Sequence, residues 1–373
     1  MSGIYIHIPF CKQACFYCDF HFSTSLKHKD ALIGALVSEI RQRHENWNKV
    51  VFTSIYLGGG TPSILPVSDI EMIFDHLKQH YTFAEQIEIT LEANPDDLNL
   101  DKLKAYKQLG INRLSIGVQS FFDEDLQRLN RVHTAQQARR SLQAARYAGF
   151  DNITVDLIYG IPGLSDKRWL KNIQTLLDCN IPHLSAYALT VEPQTALAWQ
   201  INKGFYPQVS DEQAARQFDL LRSKLKTHNY IHYEVSNFGQ ASYFSQHNTL
   251  YWKNIPYLGL GPAAHSYNGL CRRWNVANNI KYIKGVNTGK YFETEDLTLN
   301  DIYNETIMTG LRTMWGVDLR RIENLGAFYR DYLQKSAQVF IENGQLLQEN
   351  NFLKAHPDSL FKIESVISEL FIV

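Results

Sequence analysis

Two kinds of apolar pattern alternate along the first half of the chain. Short runs with period-two alternation or continuous apolar character occur at IYIHI (4–8), SIYLGG (54–59), EITLEA (88–93), RLSIGV (113–118), NITVDLIYG (152–160) and HLSAYAL (183–189). Their β-branched and aromatic content marks them as strands. Between them, near 29–47, 66–80, 99–109, 134–149 and 165–179, apolar residues recur at helical spacing. In QQARRSLQAARYAGF the positions Leu142, Ala145 and Tyr147–Ala148 follow that spacing, and Gly149 supplies a stop. Six β/α units in series predict a parallel sheet with right-handed crossovers. Six are too few to close an eight-stranded barrel. The expected fold is therefore α/β, an open partial (β/α)6 barrel, with a flat doubly wound sheet as the second choice.

The pattern changes after residue 210. A helix over 211–228 leads to YEVSNFG (233–239) and then to HNTLYWKNIPYLGLGPAAHSY (247–267), dense in aromatics, His and Gly. This stretch reads as a loop or hairpin region around a site. From about 280, helical segments (ETIMTGLRTM, LRRIENLG, YLQKSAQVFIENG) and a short strand-like tail predict a small, mainly helical domain. The expected organisation is a barrel over 1–230, a connecting region over 231–279 and a C-terminal domain over 280–373.

Composition narrows the function classes. The 373 residues allow one large domain and a smaller one. Apolar residues at 45% and charged residues at 20% are ordinary for a globular chain. A net charge of −1 leaves no electrostatic case for nucleic acid. Five cysteines, two of them isolated (Cys179 and Cys271), fit a reduced, cytoplasmic protein. No signal-peptide pattern opens the sequence, and no apolar stretch is long enough to span a bilayer. Peripheral membrane contact stays open. The aromatic share of 12% suits a flat apolar ligand, but it suits an aromatic core equally well.

The candidate chemistry begins with Cys11, Cys15 and Cys18 in HIPFCKQACFYC. Three thiolates at CxxxCxxC spacing can hold three corners of a four-iron cluster and leave one iron open to a small molecule. A zinc site would need four ligands, so His7 or His21 would have to complete it. Structural thiols are the third reading. Further polar residues fall at the ends of the strands, where parallel α/β folds bind ligands. They are Gly58 to Pro62 (GGGTP), Glu92 followed by Asn94-Pro95, Gln119 and Asp156. GGGTP is either a turn or a place where backbone approaches a ligand. Glu92 and Asp156 could accept from a ligand's hydroxyl or amino groups, or could bind Arg131 structurally.

CxxxCxxC after the first strand, GGGTP after the second and six β/α units together resemble the radical S-adenosylmethionine (SAM) superfamily. IYIHIPFC, LEANP, RLSIGVQSF, LNRVH, DLIYGIPG and YLGLGPAAHS resemble the oxygen-independent coproporphyrinogen III oxidase group over essentially the whole chain, although the last ~20 residues look diverged. Within that group two features resemble the haem-binding HemW branch. Phe20 stands where the oxidases carry a further cysteine, and HNTLYW (247–252) fits HNxxYW.

The resemblance implies a 4Fe-4S cluster held by Cys11, Cys15 and Cys18. The open iron would bind SAM, whose one-electron reduction gives methionine and a 5′-deoxyadenosyl radical. Tyr5, Tyr17, Gly59, Gly60, Thr61, Glu92, Gln119, Arg131 and Asp156 fall on SAM-contact positions of the oxidases, and Ala188 and His265 fall near two more. His247 would be a haem ligand, with Asn248, Tyr251 and Trp252 of the same motif beside it. Without the resemblance, His247 reads as a histidine capping a loop or donating to backbone. His7 is expected beside the cluster, with its role open. The implied function is a haem chaperone whose partners are haem and haem-acceptor proteins. The aromatic content permits docking on a respiratory complex. Coproporphyrinogen oxidase activity is not expected of this branch, and that oxidase is the alternative function. A zinc-stabilised interaction protein is a third.

Overall fold

The computed structural model describes residues 2–373. Six parallel strands form its centre: β1 (Gly3–Ile8), β2 (Val51–Gly59), β3 (Thr82–Ala93), β4 (Arg113–Gln119), β5 (Asn152–Tyr159) and β6 (His183–Ala188). Each is joined to the next by helical crossovers: α1 (Lys29–Arg43), α2 (Val67–His80), α3 (Leu100–Gln108), the short α4 (Asp123–Arg128) with α5 (Ala135–Tyr147), and α6 (Asp166–Asp178). The alternating and amphipathic runs of the sequence become these elements within a few residues. The spatial order of the six follows the sequence order, as an open barrel requires and a doubly wound sheet does not.

The alternation has a physical consequence inside the barrel. Ile4, Ile6 and Ile8 of β1 are fully buried against the outer helices. Tyr5 and His7, on the opposite face, point to the barrel interior. The registers Tyr5↔Tyr56, Glu92↔Ser115, Gly117↔Asp156 and Asp156↔Ser185 continue that inner face across the strands. The interior is therefore polar and the exterior apolar.

Further strands extend both edges. After α7 (Ala196–Asn202) and α8 (Asp211–Lys226), the hairpin β7 (Ile231–Glu234) and β8 (Asn237–Gly239) adds antiparallel to β6. The next segment, which the sequence presents as a loop, is a helix, α9 (Gln246–Trp252). It is followed by β9 (Tyr257–Leu260), which pairs parallel with β1. β10 (His265–Tyr267), β11 (Cys271–Asn275) and, after α10 (Asn279–Val286), β12 (Phe292–Asp296) complete a twelve-stranded sheet.

The C-terminal domain starts later than residue 280. β12 belongs to the large sheet, and α10 packs on α1 through a small cluster of Ala35, Tyr282, Val286 and Tyr291. A separate apolar core begins at Tyr303. It lies among α11 (Leu299–Leu311), α12 (Leu319–Leu325), α13 (Ala327–Glu342) and α14 (Ile363–Glu369), with a three-stranded sheet of β13 (Val317–Asp318), β14 (Leu346–Glu349) and β15 (Phe352–Ala355). This domain is mainly helical, as expected, with one small sheet. Among the described residues no helix is long and apolar enough to cross a membrane.

Candidate functional site

A cavity of about 950 Å³ opens at the carboxyl ends of β1–β6. Fourteen of the residues singled out from the sequence line it: Cys11, Cys15, Tyr17, Cys18, Phe20, Gly59, Gly60, Thr61, Glu92, Asn94, Gln119, Arg131, Asp156 and Ala188. They come from all six strands and the loops that follow them, so the parallel sheet itself brings them together.

The cysteine loop follows β1. It is anchored by backbone bonds from Cys11 N to Ser23 O (3.0 Å) and from Ser23 N to Pro9 O (2.8 Å). All five cysteines of the chain are free, and the three of the loop are half-buried at the cavity wall. Burial raises the Cys11 thiol, and it pushes the Cys18 thiol up to about 11. Removal from water thus disfavours bare thiolates, and a bound cation would reverse that balance.

Donors already face two of the sulfurs. The Thr61 hydroxyl donates to Cys11 Sγ (3.5 Å), and Arg131 Nη1 donates to Cys15 Sγ (3.2 Å). Asn94 links these donors. Its Nδ2 donates to Thr61 Oγ1 (3.3 Å) and its Oδ1 accepts from Arg131 Nη2 (2.5 Å). The Arg131 Nε is buried without a partner. Among the described residues no three His, Cys, Asp or Glu side chains gather around a single point. A four-iron cluster takes each thiolate on a different iron, whereas zinc draws its ligands to one centre. Three half-buried thiols on one cavity wall, two of them facing hydrogen-bond donors, are a donor set that fits a four-iron cluster. The imidazoles proposed to complete a zinc site are both engaged, since His21 Nε2 bonds Asn279 Oδ1 (2.7 Å) and His7 is held as described next.

His7 sits below the loop. Its Nε2 donates to the His21 carbonyl (2.9 Å), so its Nδ1 accepts from the Tyr5 hydroxyl (3.1 Å). Burial pushes its pKa down to about 4, which keeps the ring neutral. His7 and Tyr5 lie beneath the cavity and do not line it. His7 also explains part of GGGTP. Gly59 has φ +106°, and a Cβ there would lie 2.5 Å from the His7 ring. A Cβ on Gly60 would lie 2.7 Å from the Phe10 carbonyl oxygen. The chain's own packing accounts for these two glycines.

Two carboxylates stand at mid-depth. Glu92 accepts from the Tyr56 hydroxyl (2.7 Å) and from Gly59 N–H (3.1 Å). Burial, with Asp156 nearby, pushes it up to about 7. Asp156 accepts from Ser115 (3.3 Å) and is pushed up to about 6 by burial. Neither pairs with Arg131, so the structural ion pair considered from the sequence does not form. Two acids held near neutrality and facing a cavity suit a ligand carrying a cationic amino group or hydroxyls. A bulge in β4 between Gly117 and Gln119, with Gln119 at φ +65°, brings Gln119 to the cavity wall.

Sequence reasoning missed several contributors. Tyr56, Ser115 and Ser185 face inward from strand interiors and looked like ordinary strand residues. Inward alternation with Glu92 and Asp156 was the signal that could have found them. Leu360, Phe361 and Glu364 reach the cavity from the C-terminal domain, and Phe361 packs on Phe218 (5.5 Å). No local pattern announces them. Phe20 lies at the rim, 68% exposed.

The HNTLYW residues lie elsewhere. His247 is 0% exposed on α9, under the opposite end of the barrel. Its Nδ1 bonds the Ser54 hydroxyl (2.8 Å) and its Nε2 bonds the Tyr251 hydroxyl (2.8 Å). Burial pushes its pKa down to about 3. With both nitrogens engaged and no exposed surface, the His247 imidazole has no open face in this structure. Nor does it cap a loop. Tyr251 is tied to His247 and packs edge-on against Tyr257 (4.6 Å). Asn248 and Trp252 are part-exposed on the helix. His265 does not line the cavity either. It is exposed on β10 beside Trp274 (6.1 Å) and lies outside the cavity.

Family models match residues 5–176 as the Radical SAM superfamily and 297–358 as the HemN C-terminal domain. The chain is 36% identical to the heme chaperone HemW of Bacillus subtilis over 328 residues, 86% of each protein. It is 32% identical to the heme chaperone HemW of Lactococcus lactis over 323 residues, 87% of this chain and 84% of that one. Among solved structures, coproporphyrinogen III oxidase HemN from Escherichia coli, a radical SAM enzyme, superposes with a TM-score of 0.87 at 22% identity, covering 99% of this chain and 90% of that one. At that identity the likeness establishes the fold alone.

Proposed function

The chain belongs to the HemW family within the radical SAM superfamily, and from that premise we propose that it binds haem and passes it to acceptor proteins. In this reading Cys11, Cys15 and Cys18 hold a 4Fe-4S cluster, which supplies an iron position for SAM and an electron for its cleavage. The chain's residues do the rest. Thr61 and Arg131 donate to the cluster sulfurs, stabilising them as thiolates. Glu92 and Asp156 receive the polar groups of SAM, and Tyr17, Gln119 and Ala188 wall it in. Phe361 and Phe218 help exclude water from above. In the HNTLYW segment, haem contact falls to the part-exposed Asn248 and Trp252.

One observation carries the reading. A cavity lined by the three clustered cysteines, Glu92 and Asp156 occurs in a chain similar to heme chaperones, with Phe20 rather than a cysteine on its rim. The test is anaerobic reconstitution with iron and sulfide, followed by haem titration read by absorbance. Coproporphyrinogen turnover and haem transfer to an apo-haemoprotein are assayed in the same preparation. Saturable haem binding and transfer without turnover is the expected result. Turnover with SAM and a reductant, without specific haem binding, would make the chain a coproporphyrinogen oxidase instead.

A further inference from the structure

HNTLYW is absorbed by neither the cavity nor an open haem ligand set, yet its first residue, His247, is the fully buried polar group of α9. The helix closes the amino end of the barrel. Glu88 of β3 accepts from the backbone N–H groups of Gln246 (3.2 Å) and His247 (3.1 Å). The His247 ring lies against β1 and β2. Gly3 must lack a side chain there, because a Cβ would stand 2.8 Å from His247 Nδ1, from Leu250 Cδ1 and from Ser54 Oγ.

Above His247 two tyrosines form the next layer. Tyr56 stacks on it (5.2 Å, 29°), Tyr5 lies tilted beside it (6.4 Å, 32°), and the tyrosines stack on each other (6.2 Å, 27°). Each tyrosine hydroxyl then reaches upward. Tyr56 donates to Glu92 at the cavity. Tyr5 donates to His7, whose other nitrogen holds the His21 carbonyl where the cysteine loop returns. One imidazole on the floor thus supports both halves of the candidate centre. Its two hydrogen bonds, to Ser54 and Tyr251, fix the plane on which the tyrosines rest.

From this geometry we infer that the HNTLYW helix braces the SAM cavity from below, through the tyrosine layer, and that His247 is a positioning residue, orienting Tyr56 toward Glu92 and Tyr5 toward the cysteine loop. The inference rests on the reading of the cavity as a SAM site. Haem iron does not need His247 in this arrangement, and removal of its imidazole acts on SAM binding.

The experiment uses the full chain with reconstituted cluster in four forms: wild type, Tyr56→Phe, His247→Ala and the double variant. His247→Gln, which can keep one of the two hydrogen bonds, is the rescue. SAM affinity is measured by equilibrium dialysis, the SAM-induced change in the electron paramagnetic resonance of the reduced cluster is recorded, and the haem Soret band is compared. Loss of one hydrogen bond to an ionisable partner predicts roughly tenfold weaker SAM binding in Tyr56→Phe. His247→Ala should weaken it comparably and alter the resonance change, with His247→Gln intermediate. Because both residues act through one chain of contacts, the double variant should be no worse than the weaker-binding single variant. The Soret band should be unchanged.

Unchanged SAM affinity in the variants, with wild type binding normally, overturns the inference and leaves the SAM reading standing. A Soret change in His247→Ala with SAM binding intact also overturns it and makes His247 a haem ligand. If the His247 variants do not fold, Tyr56→Phe decides alone, because it deletes one oxygen atom and keeps the ring. Wild type that loads its cluster but does not bind SAM overturns the underlying reading as well.

Discussion

Glu92→Gln should reverse its effect on stability between acid and alkaline pH. The Glu92 side chain is enclosed by protein and meets only the cavity. Its pKa is raised by burial from an ordinary 4.5 to about 7, with the Asp156 charge adding to the shift. The folded chain therefore holds this proton more tightly than the unfolded chain. The contribution is fully present below about 4.5 and is lost as pH rises through about 7. The gap corresponds to at most about 3 kcal/mol, since cavity water screens part of it.

Glutamine carries no charge, so it escapes that loss. Its carbonyl can still accept from Tyr56, but its amide nitrogen then faces Gly59 N–H, a mismatch of about 1 kcal/mol. The variant should be less stable than wild type by about 1 kcal/mol near pH 3 and more stable by about 2 kcal/mol near pH 9. For a chain of this length unfolding cooperatively, 2 kcal/mol is roughly 2–3 °C. The assay is paired thermal unfolding of the iron-free proteins by circular dichroism across that range. Asp156 titrates in both proteins, so the difference reports Glu92 together with its coupling to Asp156. Parallel pH profiles, or a variant that is less stable throughout, would refute the account of Glu92 as a buried acid kept near neutrality.

Other perturbations test other parts of the structure. Arg113 is 1% exposed beside Glu88 (3.8 Å), so Arg113→Met strands a buried carboxylate and should destabilise the chain by about 3 kcal/mol or more in urea titrations. Gly59→Ala forces a methyl group into the His7 ring at positive φ; iron content after reconstitution should fall well below wild type, with the chain still folded by circular dichroism. Removing the iron with a chelator should raise the count of reagent-accessible thiols by three, and changing Cys11, Cys15 and Cys18 to serine should abolish that increment. Phe361→Ala trims the roof over the cavity, and losing about 1 kcal/mol of contact should weaken SAM binding by up to about fivefold, read by dialysis.

The alternation of IYIHI with amphipathic helices was enough to determine the six β/α units, because burial of one strand face and one helix stripe leaves periods of two and 3.6 in the sequence. The cavity set was legible for the same reason. Once the strands are parallel, residues at their carboxyl ends meet at one rim, so Cys11, Thr61, Glu92, Gln119 and Asp156 could be grouped without coordinates. Cys11, Cys15 and Cys18 needed even less, since eight residues of chain keep them together.

The remaining features depended on contacts between distant segments, which leave no period behind. That α9 would plug the barrel was decided by Glu88 and Ser54, about 160 to 190 positions earlier in the chain. The pairing of β9 with β1, which goes with β12 in the large sheet and α10 against α1 rather than in the C-terminal domain, was decided the same way. His247 is the sharpest case. Its motif is visible in the sequence, but whether an imidazole faces a ligand or a wall of tyrosines depends on which surface its helix buries. Only the tertiary packing settles that, because desolvating the ring requires partners for both nitrogens, and the fold supplies them.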